Sequence, residues 1–167
     1  MGEMMKNKVL DLLPFLLIGD LVLPFLLAPT YRGYNHLMQV MSALGNPIAP
    51  LHILYNIWLI VLGIGILLCN FKLYPVIAEK SSSIAIMLFA IICIYAIGAC
   101  ILSGLFPVGE TKELKTISSK IHGYGSAIGF MFLIFAPLFI GLYFFKSSSR
   151  FWGIFSLICF VFSLLCF

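Results

Sequence analysis

Two carboxylates and three imidazoles carry most of the chemical potential of this apolar chain: Asp20, Glu110, His36, His52 and His122. Asp20 interrupts an apolar run, and Pro24 follows one turn later. Proline has no backbone N–H, so the carbonyl of residue 20 loses the partner a helix would give it. A carboxylate and a free carbonyl thus coincide at one expected kink. That pairing suits a proton or ion site, or a neutral Asp20 hydrogen-bonded to a neighbouring helix. His52 and His122 each open a predicted helix, with Asn56 and Ser126 one turn further on the same faces. An imidazole there is a proton carrier, a headgroup donor, or an interfacial residue bonded to backbone or water. Three histidines with Asp20 or Glu110 are metal-type ligands, but no pair stands at i, i+4. No metal and no cofactor are therefore expected. The candidate acid–base set is His122, Asp20 and Glu110, with His52 as the other imidazole able to serve. The candidate ligand-binding set is His36, Ser42, Asn46, His52, Asn56 and Ser126.

The elements that position these residues follow from composition. Hydrophobic residues make up 62% of the chain and charged residues 10%, a balance that only a bilayer accommodates at this size. An all-α membrane bundle in a single domain is expected. Its five spans lie near 9–28, 52–70, 84–105, 122–145 and 151–167, each about long enough for a core of ~30 Å at ~1.5 Å per residue. Asp20 and the poor cleavage site at Ala28-Pro29 argue for an uncleaved first helix rather than a signal peptide. Lys6, Lys8, Lys72, Lys80, Lys146 and Arg150 fall on one side, against Arg32, Lys112, Lys115 and Lys120 on the other. The N-terminus is therefore expected in the cytoplasm, with the chain in a plasma or bacterial inner membrane. The basic residues form no stripe, which excludes a nucleic-acid partner.

Two long connections, 29–51 and 106–121, share the outer side and bring the histidines there. In the first, Leu37, Met38, Val40, Met41 and Leu44 repeat at helical spacing, with Asn35 placed to cap and Gly45 to terminate. A short interfacial or re-entrant helix is expected. Gly125 and Gly129 form a close-packing GxxxG spacing, and Pro137 frees a carbonyl deeper in the same helix. Trp58, Tyr74, Tyr143 and Trp152 are candidate interfacial anchors. The five cysteines lack CxxC spacing and read as packing residues.

At the segment His36-Leu-Met-Gln-Val-Met-Ser42-Ala-Leu-Gly45, followed by Asn56, and again at Leu105-Phe106-Pro107 and His122-Gly123, the chain resembles a known family. These are the multi-pass membrane proteins catalogued as domain of unknown function 998. The similarity runs from about Pro29 onward. It implies a helical membrane protein and confers no activity. An acidic residue commonly follows Phe-Pro closely in that family, and here Glu110 comes slightly later. Members often have a sixth helix, whereas this sequence stops at Phe167 within an apolar run, as a shortened or truncated member would.

The expected function is binding of a lipid headgroup or small amphiphile in a polar pocket near the outer face, with membrane lipids and a lipid-like ligand as partners. The alternatives are an intramembrane enzyme using His and carboxylate acid–base chemistry on a lipid-linked substrate, an accessory membrane subunit, and a proton-coupled carrier centred on Asp20. A homo-oligomer would supply the second half that a carrier of this size lacks.

Overall fold

The computed structural model describes residues 8–109 and 114–167 and is helical, with no strand among them. Five helices account for most of it. Four are long and apolar enough to cross a membrane: α1 (Leu12–Thr30), α2 (His52–Ala78), α3 (Ser82–Leu105) and α4 (Ile117–Lys146). The fifth, α5 (Arg150–Cys166), is apolar and 17 residues long. Phe15, Leu21, Ile64, Phe132 and Phe162 are among many large apolar side chains left exposed, as they would be with lipid for a solvent.

Contacts run mainly in chain order, α1 on α2, α2 on α3, α3 on α4 and α4 on α5. Small residues mark the crossings. A Cβ at Gly63 or Gly104 of α2 and α3 would strike the carbonyls of Ala96 and Asn56 across that interface. The GxxxG pair behaves as its spacing predicts: Gly125 meets Gly98 backbone to backbone, and Gly129 seats against Ala99. Buried Asn70 ties α2 to α3 by donating to the Phe89 carbonyl at 3.0 Å.

Several boundaries differ from the sequence expectation for identifiable reasons. α2 continues eight residues beyond Asn70 because Leu73, Tyr74 and Ile77 pack on Ile84, Ala85 and Leu88 of α3, a core that lies past the apolar run. α4 starts at Ile117, before His122, because Thr116 and Ser119 form a reciprocal capping box. Within α4 the helix breaks at Ile134–Phe135 and restarts at Ala136, with Pro137 in the first turn, where its missing N–H does no harm.

α3 holds a feature that periodicity does not signal. Its stretch Ala96–Leu102 is a π-helix, a wider turn flanked by ordinary α-helix on both sides. The Ser103 hydroxyl donates to the Gly98 carbonyl, five residues back, at 3.3 Å.

The expected helix in the first connection is shorter and tighter than the pattern suggested. Asn35 accepts from the N–H of Leu37 at 2.8 Å, which closes a local turn rather than capping a helix. Val40 is extended, and only Met41–Gly45 is helical, in the 3₁₀ form. Leu44 and Gly45 are buried there, while Leu37 and Met38 are 92% and 78% exposed.

Candidate functional site

α1 and α4 stand on either side of the α2–α3 pair, and between them lies a cavity of about 640 Å³. Five of the sequence candidates line it: Asp20 from α1, His36 and Ser42 from the first connection, and His122 and Ser126 from α4. That size falls in the range of small-molecule sites.

Asp20 reaches the cavity from the turn before Pro24, which is itself buried in the cavity wall. Its neighbour Gly19 lets the indole of Trp58 lie directly against α1. Trp58 is therefore a packing residue between α1 and α2, not the interfacial anchor its type suggested. Its buried N–H interacts with the Asp20 carboxyl without reaching full hydrogen-bond geometry. Tyr55, Tyr95 and Cys100, also on the cavity wall, are within electrostatic reach of the same carboxyl.

His122 is 6% exposed. Its Nδ1 is 3.0 Å from the carbonyl of Phe106, so this nitrogen carries the proton and donates. That bond joins the start of α4 to the end of α3. Ser126 donates back to the His122 carbonyl at 2.7 Å, one turn below. Ser118 anchors the same connection by donating to the Pro107 carbonyl at 2.9 Å.

His36, within the first connection, stands in an aromatic setting. Its ring centre is 4.6 Å from that of Phe25 and 4.9 Å from that of Tyr34. Nδ1 pairs with the Tyr34 hydroxyl at 3.1 Å, and Nε2 is buried with no hydrogen-bond partner among the described residues.

The other candidates are engaged elsewhere. Buried Asn46 accepts from the N–H of Ile48 at 3.1 Å, closing a turn. His52 donates from Nδ1 to the Ala49 carbonyl at 2.8 Å as α2 begins. Asn56 donates to the Gly45 carbonyl at 3.1 Å. His52 and Asn56 tie the first connection to α2, Asn46 folds a turn within it, and none of the three lines the cavity. Glu110 lies outside the described residues. No hydrogen bond joins an imidazole to a carboxylate among the described residues, and no three His, Cys, Asp or Glu side chains gather there as a metal site would require.

Sequence reasoning missed the cavity's deep wall. Cys100 reads as a packing residue, and nothing in the pattern singles out Tyr55, Tyr95 or Ser103. All four line the cavity: Cys100 within the π segment, Tyr95 just before it, Ser103 just after it, and Tyr55 on α2. A π-helix next to a cavity is a recurring mark of functional sites.

The family described as "Protein of unknown function (DUF998)" matches residues 18–167. The chain belongs to that family. No curated protein and no solved structure matches it.

Proposed function

We propose that this member of the DUF998 family binds a lipid headgroup or small amphiphile in the cavity between α1 and α4. The observation that carries the reading is the composition of that one space. Asp20, His36, Ser42, His122 and Ser126 converge there from three separate parts of the chain, while Leu59, Leu62 and Ala127 supply apolar wall. A polar cluster set in apolar walls at membrane depth matches a molecule with a head and a tail. The Met41–Gly45 helix covers the cavity as a lid held by Asn56.

In this reading all five helices span, with the N-terminus cytoplasmic and the cavity near the outer face of a plasma or inner membrane. α5 supports the fifth span because Phe151, Ile154, Phe155, Ile158 and Phe162 are exposed around it, and only Gly153 and Ser156 are buried. A helix lying on a membrane surface needs a polar face, which α5 lacks.

Native mass spectrometry of the purified protein tests the function. A bound lipid-like mass is expected on the unmodified protein, with occupancy reduced in His122→Ala and Ser126→Ala. Absence of any retained amphiphile, together with His122→Ala behaving as the parent, overturns the proposal.

A further inference from the structure

The cavity described above combines size with polar atoms. A second hollow of about 280 Å³ is lined by Ile154, Leu157, Ile158, Val161 and Phe162, all from α5, and offers an apolar surface to lipid. The exposed Leu37 and Met38 have nothing seated on them. The charge distribution of the larger cavity carries further.

Among the described residues no lysine or arginine lines the cavity, and the one acidic side chain they bring to it is Asp20. One nitrogen of each imidazole is already matched to a protein group, Nδ1 of His36 to the Tyr34 hydroxyl and Nδ1 of His122 to the Phe106 carbonyl. Tyr55 and Tyr95 line the same cavity as this carboxyl, and Phe130 packs edge-on against Tyr95 at 5.5 Å.

An anionic headgroup placed here would meet a carboxylate and no fixed cation among the described residues, so its desolvation would go uncompensated there. An ammonium group inverts every term. It pairs with the carboxylate, and where it is quaternary its weakly hydrated methyl surface is also attracted to aromatic faces. A hydrocarbon tail then lies along Leu59, Leu62 and Ala127.

We infer that the ligand class of this cavity is a cationic amphiphile, with its ammonium group at Asp20 among the Tyr55 and Tyr95 rings and its tail on the apolar wall. The inference rests on the amphiphile-binding reading and adds the sign of the charge.

The chain has two tryptophans, so Trp152→Phe leaves Trp58, beside Asp20, as the only indole reporter. In dodecyl maltoside micelles this protein is titrated with dodecyltrimethylammonium, dodecyl sulfate and tetramethylammonium. Saturable change in Trp58 emission is expected with dodecyltrimethylammonium and not with dodecyl sulfate. Asp20→Asn should weaken that binding roughly tenfold or more, as loss of one charged partner does. Asp20→Glu keeps the charge and should retain most of the affinity, which separates a charge effect from a folding defect. Equal binding of both charged amphiphiles, or cation binding that Asp20→Asn leaves unchanged, overturns the assignment of charge while amphiphile binding stands. Tetramethylammonium binding as tightly as its tailed relative overturns the tail and points to a free ammonium ion. No response to any probe, together with no retained lipid by mass, removes the amphiphile reading itself.

Discussion

The side-chain amide of Asn56 donates to the carbonyl of Gly45 at 3.1 Å, so the second turn of α2 grips the last residue of the 3₁₀ helix above the cavity. Gly45 is buried at this contact, and a Cβ there would strike the Asn56 side chain. Removing the amide leaves a sheltered carbonyl unpaired, at a cost of about 1–3 kcal/mol. Asn56→Ala is therefore expected to lower the melting temperature and to expose the 31–51 connection to protease, with ligand leaving the cavity faster. Proteolysis unchanged from the parent would show that the lid is held by something else.

Gly98 and Gly125 bring α3 and α4 together backbone to backbone, and a side chain at Gly98 would collide with the Gly125 carbonyl. Because carbonyls cannot swing aside as side chains do, Gly98→Ala should destabilise by about 1–3 kcal/mol. Gly109→Ala serves as the control, since a Cβ there meets nothing within 4 Å among the described residues. Thermal unfolding of both in one detergent checks the contrast. Similar melting temperatures for the two variants would contradict the close approach.

Thr116 and Ser119 cap α4 reciprocally, with Thr116 Oγ1 accepting from the Ser119 N–H at 3.0 Å. Thr116→Ala should cost about 0.5–2 kcal/mol. The loss should be local. Hydrogen exchange is expected to rise in the first turn of α4 and in the His122–Phe106 contact, while the middle of α2 stays protected. Uniform exchange throughout the chain would mean that the cap is not a separate element.

Five spans with a cytoplasmic N-terminus make a prediction about sidedness. A reporter enzyme fused after Phe167 should report the outer side, and one fused at Ser148, in the turn between α4 and α5, should report the cytoplasm. If both fusions report the same side, α5 does not cross.

The sequence made the helices legible because lipid leaves no other way to satisfy the backbone, and each apolar run corresponds to a helix, four of them long enough to cross a membrane. The polar sites were legible only where polarity is costly. Asp20, His122 and Ser126 stand out against apolar neighbours, and the cavity gathers them. Asn46, His52 and Asn56 stand out equally but serve the backbone of a connection, because a buried turn also has carbonyls and N–H groups to satisfy. Residue type alone does not separate these two uses. Tyr55 and Tyr95 escaped notice for the opposite reason: in an aromatic-rich membrane chain they look like mass for packing.

The π segment of α3 has a consequence for how this chain tolerates changes in length. An ordinary α-helix advances about 100° per residue, so one residue more or less rotates everything beyond it by that amount. A π segment holds one residue more than an α-helix would over the same rotation. Deleting a single residue within Ala96–Leu102 would therefore let the wide turn rewind to regular α-helix while the segments on either side keep their facing. Ser103 and Gly104 would then hold their present neighbours, and only the wall inside the stretch, at Ala99 and Cys100, would change. The same deletion elsewhere in α3 has no such slack and would rotate everything beyond it. This stretch is therefore the one place in α3 where the chain can lose a residue and keep its register.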